Sequence, residues 1–237
     1  MTVLLSIVIP VMNEEANVVA LAQEITAVMA TVDFAWEAVW VDDGSTDRTA
    51  KRLRTLPPPH RLLRLERNCG QSAAFMAGFR SAVGEWIGTL DGDGQNDPAD
   101  LPRQLAHAQA VGVEMCNGIR VKRQDSLLRK LSSRVGNGVR NWVTGEDQVR
   151  DVGCSTRVAR RAILVQLPFF HGMHRFLPTL VRLAGGRIAQ IPVNHRPRGG
   201  GRSKYGLWNR AFTGLRDCFG VRWLRSRART WTVIEGG

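Results

Sequence analysis

Two aspartates separated by one residue follow a short apolar run, and their spacing suits metal chemistry. The run Trp86–Leu90 leads into Asp91-Gly92-Asp93-Gly94-Gln95. Such a run predicts a buried strand, and open α/β sheets bind ligands where their strands end. Proteins usually hold Mg²⁺ with one or two carboxylates together with substrate phosphates. The stretch therefore predicts a metal–diphosphate site, and the alternative is a solvated acidic turn before a helix that begins near Pro98.

A second acidic turn lies about 50 residues earlier, after the apolar run Trp36–Val41. It begins with Asp42 and Asp43, which are followed by glycine and serine. Aspartates are also common helix caps, but Asp47 is better placed for that role. Two such turns after two strands form a far more specific pattern than either turn alone.

Apolar runs alternate with helical patterns through the first half of the chain. Strands are predicted at Leu4–Ile9, Trp36–Val41, Arg61–Leu65 and Trp86–Leu90. Helices are predicted from an Asn13 cap to Ala30, before Pro57, and over Gln71–Val83. This order predicts an α/β fold with a mostly parallel central sheet flanked by helices. The less regular second half predicts strands near Met115–Arg120, Val149–Ser155 and Arg187–His195, and a basic helix around Gln124–Trp142.

The charge of the chain is unevenly distributed. Residues 1–155 carry 19 acidic and 17 basic side chains, whereas residues 156–237 carry two and 16. No Asp or Glu occurs from Val152 to Arg216. A one-sided basic tract of this length indicates an anionic partner, namely a phosphate, a nucleic acid or an anionic membrane. A nucleic-acid-binding module is the remote alternative, because no helix-turn-helix, zinc or RNA-recognition pattern is present.

A stretch near the C-terminus has aromatic and apolar residues at helical spacing. They are Tyr205, Trp208, Phe212, Leu215, Phe219 and Trp223, and arginines follow them. The spacing predicts a helix with one aromatic face. Such a helix suits a membrane interface, where rings lie among headgroups and arginines bind anionic lipids. The alternative is a helix packed on the domain core. No apolar run reaches the roughly 18–20 residues of a membrane span.

The motifs resemble those of the family 2 glycosyltransferases with the GT-A fold. Within that family, the chain is similar to the polyprenyl-phosphate sugar transferases, the dolichyl-phosphate mannose synthase group. The resemblance rests on both acidic turns and on Ser6–Pro10, Asn13–Glu15, Arg67–Gly70, Gly172–Pro178 and Arg198–Gly206. It implies a GT-A catalytic domain over residues 1–204, an amphipathic, membrane-interfacial segment over 205–229, and a tail over 230–237.

The resemblance also implies roles for individual residues. The nucleotide would lie against Pro10, Asn13, Glu15, Asp42, Asp43 and Gly70. A Mg²⁺ or Mn²⁺ cofactor would be bound by Asp91, Asp93 and Gln95, with Asp91 also facing the nucleotide sugar. Phosphates of the donor or the acceptor would be held by Arg120, Arg134, Arg198, Ser203 and Lys204, which complete the catalytic set with Asp91 and Asp93.

The implied reaction is inverting transfer of a hexose from GDP-mannose or UDP-glucose to polyprenyl phosphate, with mannose favoured. A phosphate monoester carries about −1.5 to −2 charges at neutral pH, so it attacks without a general base. That agrees with the absence of Asp and Glu from Val152 to Arg216. A family member that acts on a sugar hydroxyl in polysaccharide synthesis would need a base, for which His171 and His174 are candidates.

The remaining expectations concern location. Many members of this group continue into two transmembrane helices, and the chain resembles the peripheral members, which leaves open a separate transmembrane partner subunit. Four widely spaced cysteines without a CxxC pair indicate reduced thiols. We therefore expect a cytoplasmic protein that lies peripherally on the cytoplasmic face of the membrane.

Overall fold

Strands and helices alternate along the parts of the chain that the computed structural model describes. These are residues 2–120, 149–196 and 207–228, with the backbone alone described for 207–215. The strands are β1 (Leu5–Val11), β2 (Trp36–Asp42), β3 (His60–Arg64), β4 (Trp86–Thr89), β5 (Met115–Arg120), β6 (Arg157–Arg160) and β7 (Ile188–Val193). The helices are α1 (Val18–Met29), α2 (Thr49–Leu53), α3 (Gln71–Ser81), α4 (Asp100–Val111), α5 (Arg161–Leu164), α6 (Leu177–Leu183) and α7 (Leu207–Arg227), and a 3₁₀ turn covers Met173–Phe176.

The described strands form one sheet in the order β3-β2-β1-β4-β6-β5-β7. Neighbouring strands are parallel except at β6, which runs antiparallel to both β4 and β5. Because β1, β2, β3 and β4 are parallel, their carboxyl ends meet at one edge, where such sheets bind ligands. The predicted α/β fold with a mostly parallel sheet is confirmed.

Helices cover both faces of the sheet. Along β1, Ile7 and Ile9 pack with α1 and α4 on one face, whereas Val8 packs with α3 on the other. This alternation is the period of two that a pleated strand imposes. Since both faces are buried, the whole of β1 is buried, and every residue of its sequence except Ser6 is apolar. The core thus fixes the strand ends that carry the acidic turns.

Two of the predicted elements are wrong. Asn13 does not cap α1, because the helix begins at Val18 and Asn13 has a left-handed backbone with φ of 52°. Residues 150–153 form a turn with irregular backbone on either side, and the strand in this region is β6. The pattern missed β6 because two of its four residues are arginines, which usually indicate exposure, although Arg157 is buried. The basic helix predicted around 124–142 lies outside the described residues.

Helix α7 packs one side on the domain and exposes another. Cys218 and Val221 are buried in the cluster that contains α3 and α6, whereas Phe219 and Trp223 are 56% and 63% exposed. These two rings of the predicted aromatic face are therefore not part of the core. The side chains of its other members, Tyr205, Trp208, Phe212 and Leu215, lie outside the described residues. Among the helices that the structure describes, none is both long and apolar enough to cross a membrane.

Candidate active site

The two acidic turns meet at the carboxyl edge of the sheet. Val11, at the end of β1, is paired in register with Asp42 at the end of β2. On its other side, β1 is paired with β4, which ends two residues before Asp91. The Asp91–Gln95 turn touches β1 directly, because a Cβ added to Gly92 would lie 2.5 Å from Val11 Cγ1. The predicted donor-site residues of β1, β2 and β4 are thus brought together.

Asn13 and Glu15 join the loop after β1 to the loop after β2. The Asn13 backbone N–H donates to Ser45 Oγ at 2.9 Å, and the Thr46 N–H donates to Asn13 Oδ1 at 2.8 Å. The Arg48 N–H donates to Glu15 Oε2 at 3.1 Å. The left-handed backbone of Asn13 is therefore held by hydrogen bonds on both sides. These bonds give both residues a structural role at the predicted nucleotide pocket, and their contact with a nucleotide stays a prediction.

Asp42 and Asp43 are both buried beneath this edge. Asp42 Oδ1 accepts from the Ser45 N–H at 3.0 Å, and Asp42 Oδ2 lies 3.1 Å from Arg64 Nε. Asp43 accepts from the N–H groups of Cys69 and Gly70 at 2.7 and 2.9 Å. Burial raises the pKa of Asp43, and the two backbone donors only partly oppose it. The pair therefore organises the pocket wall, and direct contact of Asp42 with a base or ribose stays a prediction.

The turn after β4 is fixed by hydrogen bonds of its own. The Asp91 N–H donates to Asn96 Oδ1 at 2.8 Å, and Gln71 Nε2 donates to Asp91 Oδ1 at 3.0 Å. The Gln95 N–H donates to Asp93 Oδ1 at 3.1 Å. Both carboxylates are thus oriented by N–H donors within the loop and from the start of α3.

The residues of this turn fit a cation that binds together with a diphosphate. No group of three or more His, Cys, Asp or Glu side chains in the described ranges is placed to hold a metal by itself. Two carboxylates are nevertheless the usual protein share of a Mg²⁺ site, because phosphates and waters supply the other ligands. Open space adjoins the turn, since a Cβ on Gly94 would have nothing within 4 Å. The third predicted ligand, Gln95, donates from Nε2 to the Arg196 carbonyl at 3.3 Å, and its metal role stays a prediction.

Arg120 ends β5 and forms a side-on ion pair with Asp151. Its Nε and one terminal nitrogen each lie 2.8 Å from a carboxylate oxygen of Asp151. Burial by itself would lower the pKa of Arg120, but the hydrogen-bonded charge of Asp151 outweighs it, so the pKa is raised. Asp151, the last acid before the acid-free stretch from Val152 to Arg216, thus pairs with an arginine of β5.

Arg157 is a second cation at this edge, and sequence reasoning missed it. Its guanidinium donates to Asn117 Oδ1, to the His174 carbonyl and to the Val152 carbonyl at 2.8–3.1 Å. Burial lowers the pKa of Arg157 to about 10, which still leaves it charged at neutral pH. Asp91 interacts electrostatically with both Arg157 and Arg120. The acidic turn and the guanidinium groups therefore share one site.

The two histidines proposed as bases have different environments. His174 Nδ1 lies 2.7 Å from Ser72 Oγ, and its ring packs beside Phe75. Ser72 Oγ also accepts from the Gly172 N–H at 2.9 Å, so His174 belongs to a packed junction between the 3₁₀ turn and α3. His171 is exposed, with Nε2 near the start of α3. A buried glutamate, Glu37, lies at the opposite edge of the sheet, where its neighbours are Ser6 and Arg61.

The site thus contains most of the predicted residues within the described ranges. The structure adds Asp151, Arg157, Asn96 and Gln71, whose roles no sequence pattern indicates beyond their polar character. Their partners lie 5 to 40 residues away in sequence. The predicted phosphate ligands Arg134, Arg198, Ser203 and Lys204 lie outside the described residues.

Comparison with known proteins agrees with this geometry. The model of a family described as "Glycosyl transferase family 2" matches residues 6–167. The chain is 37% identical over 233 residues to a dodecaprenyl-phosphate galacturonate synthase of Rhizobium johnstonii, covering 95% of this chain and 68% of that protein. It is 39% identical over 204 residues to an undecaprenyl-phosphate 4-deoxy-4-formamido-L-arabinose transferase of Pectobacterium carotovorum, covering 84% and 62%. The chain thus spans about two thirds of the length of these relatives.

Solved structures share the fold at low sequence identity. A glucosyl-3-phosphoglycerate synthase from Mycobacterium tuberculosis, in complex with Mn²⁺, UDP-glucose and phosphoglyceric acid, superposes with a TM-score of 0.67 and 20% identity, covering 92% of this chain and 80% of that one. A mannosyl-3-phosphoglycerate synthase from Rubrobacter xylanophilus gives a TM-score of 0.72 and 17% identity, covering 99% and 78%. These likenesses confirm the predicted GT-A fold.

Proposed function

Because the chain belongs to glycosyltransferase family 2, we propose that it transfers a sugar from a nucleotide sugar to the phosphate of a polyprenyl phosphate. The observation that carries the proposal is the meeting of Asp91, Arg157 and Arg120 at one edge of the sheet. Arg157 is paired in register with Thr89, two residues before Asp91, and its guanidinium binds Asn117 of β5, the strand that ends at Arg120. A carboxylate that can hold a donor metal thus lies beside cations that can hold a second phosphate. The names of the two curated relatives, each for a sugar and a polyprenyl phosphate, support the same reaction.

The acceptor is a nucleophile that arrives already ionised. An oxygen of the phosphate monoester forms a bond to C1 of the sugar, and the bond from C1 to the donor diphosphate breaks with its electron pair leaving on the diphosphate. This direct displacement inverts the configuration at C1. Arg120 would hold the acceptor phosphate in line and offset its repulsion from the diphosphate. No proton has to be removed, so the reaction does not need a carboxylate base.

Asp91, Asp93 and Gln95 would hold a Mg²⁺ or Mn²⁺ ion against the donor diphosphate. Such a cation, when bound, stabilises the charge of the departing diphosphate as a Lewis acid. The protein's contribution is to orient the carboxylates, through the N–H donors of Gln71 and Gln95. Further phosphate contacts from Arg134, Arg198, Ser203 and Lys204 belong to the same proposal, as do nucleotide contacts from Pro10, Asn13, Glu15, Asp42, Asp43 and Gly70.

The shape of the donor pocket determines which sugar is transferred. The sequence resemblance favours mannose, with glucose second. The curated relatives are named for galacturonate and for 4-deoxy-4-formamido-L-arabinose, so these two sugars join the set of donors to be tested.

We place the reaction at the cytoplasmic surface of a membrane, where a polyprenyl phosphate presents its headgroup. The α7 face that carries exposed Phe219 and Trp223 also carries exposed Arg216, three residues before Phe219, and exposed Arg227, four residues after Trp223. Exposed rings beside arginines suit a bilayer interface with anionic lipids. A separate transmembrane subunit would be an additional partner of the same face.

Activity on a lipid acceptor tests the proposed reaction. The protein is incubated with undecaprenyl phosphate and labelled GDP-mannose, UDP-glucose or UDP-galacturonate, with Mg²⁺, Mn²⁺ or EDTA. We expect a lipid-linked product with at least one donor, and its loss with EDTA or in Asp93→Asn. The matched control is Asp33→Asn, because Asp33 is an exposed acid in the loop between α1 and β2. Transfer to a soluble sugar in preference to the lipid would refute the proposal and favour the hydroxyl-acceptor alternative.

Vesicle flotation tests the membrane surface separately. Phe219→Ala/Trp223→Ala should reduce binding to vesicles that contain phosphatidylglycerol by at least tenfold. A tenfold loss corresponds to about 1.4 kcal/mol, and burying a single Phe side chain is worth about 1.5–3 kcal/mol. The control is Val83→Ala, an exposed apolar residue at the opposite edge of the sheet. Equal flotation of both variants and the unaltered protein would contradict a role for this face.

A further inference from the structure

The ion pair between Arg120 and Asp151 is more constrained than a surface pair. The two side chains are 15% and 10% exposed, and the carboxylate contacts two nitrogens of the guanidinium at 2.8 Å. Asp151 Oδ2 also accepts from the Arg120 backbone N–H at 3.2 Å. Side-on pairing of this kind fixes both the position and the plane of a guanidinium, which one hydrogen bond does not.

The backbone of Asp151 is held independently of Arg120. Its carbonyl accepts from Asn117 Nδ2 at 3.0 Å and from the Cys154 N–H at 3.1 Å. Asn117 is a fully buried residue of β5, three positions before Arg120. Next to the pair, a Cβ on Gly153 would lie 3.3 Å from a terminal nitrogen of Arg120, so the glycine leaves room for the guanidinium. Contacts other than those of Arg120 therefore also fix the position of Asp151.

The pair also balances charge at the edge that holds Asp91. Asp151 interacts electrostatically with Arg120 and with the buried Arg157. Without this carboxylate, the two guanidinium groups would share a partly desolvated site with Asp91 and Cys154, the other two acidic groups that act on both. Burial raises the pKa of the Cys154 thiol, so it is neutral at pH 7 and Asp91 would supply the negative charge. Like charges in such a site repel strongly, and the more exposed arginine would turn toward water.

The ion pair uses one N–H of Nε and one N–H of a terminal nitrogen, which are two of the five N–H donors of a guanidinium. We propose that Asp151 is a positioning residue, which holds Arg120 beside Asp91 so that the remaining donors of its guanidinium receive a substrate phosphate. This inference rests on the proposed function, and it names the residue that prepares the cationic half of that site. The phosphate belongs either to the acceptor monoester or to the donor diphosphate, and separate KM values distinguish the two.

A double-mutant cycle on the full chain tests the proposal, with Asp151→Asn, Asp151→Glu, Arg120→Met and Arg120→Met/Asp151→Asn. Asp151→Asn removes the charge, whereas Asp151→Glu keeps the charge and lengthens the side chain, so it shifts the guanidinium. We expect each to lower kcat/KM for one phosphate substrate by about 10- to 100-fold, because a small misplacement of a charged contact has effects of that size. In the Arg120→Met background, Asp151→Asn should cause no further loss.

Independent losses that multiply in the double variant would overturn the proposal, since they would mean that Asp151 acts on the loop and not through Arg120. Glu37→Gln is the matched control, because it disrupts another ion pair between a buried carboxylate and an arginine, Arg61 at 2.6 Å, at the opposite edge. It should lower the melting temperature and leave both KM values unchanged. If the unaltered protein transfers no sugar to undecaprenyl phosphate, the proposed function fails. If it does, and Asp151→Asn keeps both KM values and kcat, the positioning role fails.

Discussion

Gly92→Ala is expected to impair catalysis by moving the acidic turn. The added Cβ would lie 2.5 Å from Val11 Cγ1 and 3.2 Å from the Pro10 carbonyl oxygen. Carbon atoms in contact prefer about 3.5–4.0 Å, so about 1 Å of movement is required. Val11 ends a buried strand that is bonded on both sides, and its β-branched side chain has little rotamer freedom. The turn therefore yields, and Asp91 moves with it.

The expected loss follows from that displacement. A shift of about 1 Å in a catalytic constellation reduces the rate by about 100-fold, and overpacking costs about 1–3 kcal/mol of stability. We expect kcat/KM for the nucleotide sugar to fall by about 100-fold in Gly92→Ala, together with a higher Mn²⁺ requirement. Steady-state kinetics across a Mn²⁺ titration measure both effects, and thermal unfolding shows whether the variant is folded.

Two further variants make the reasoning refutable. Gly94→Ala places its Cβ in open space but has φ of +74°, so it should cost about 1–2 kcal/mol of stability and less than tenfold in rate. Val11→Ala removes the clashing methyl group, so Gly92→Ala/Val11→Ala should recover most of the activity. If Gly92→Ala is fully active, or if Val11→Ala rescues nothing, the contact between β1 and the turn does not position the carboxylates.

Three further predictions concern stability. Burial lowers the pKa of His60 below its usual 6.5, and its Nδ1 accepts from Trp40 Nε1–H. As the pH falls, the unfolded chain therefore binds a proton at His60 before the folded protein does, so the free energy of unfolding should decrease from about pH 6.5 downward. The decrease should be smaller in His60→Gln. Urea titrations at several pH values measure both. Gly172→Ala combines φ of +98° with a Cβ 2.6 Å from Asp217 Oδ2, so it should lower the melting temperature, and Asp217→Ala should restore only part of it. Arg157→Met should cost about 3–5 kcal/mol in urea unfolding, because it strands buried oxygen acceptors; a cost under 1 kcal/mol would contradict the assigned hydrogen bonds.

Some of the site could be predicted from the chain because its signals are local. The strands β1, β2 and β4 are short apolar runs, and burial on both faces of a parallel sheet requires such runs. The acids that follow them had to lie at the carboxyl edge once the order of strands and helices was known. The predictions for Asn13 and β6 are wrong because their causes are not local in sequence. The left-handed backbone of Asn13 is held by a loop about 30 residues away, and the burial of an arginine in β6 does not show in a hydrophobic pattern.

The sequence by itself determined the α/β class, the parallel strands and the two acidic turns at their ends, because hydrophobic periodicity and turn residues act over a few positions. Only the tertiary structure decided that Asp151 pairs with Arg120 across 31 residues, and that Arg157 is buried near Asp91. It also decided that α7 exposes Phe219 and Trp223 while Cys218 and Val221 enter the core. These outcomes depend on which surfaces meet after the chain folds, and the free energy of burying a charge or a ring depends on its three-dimensional neighbours.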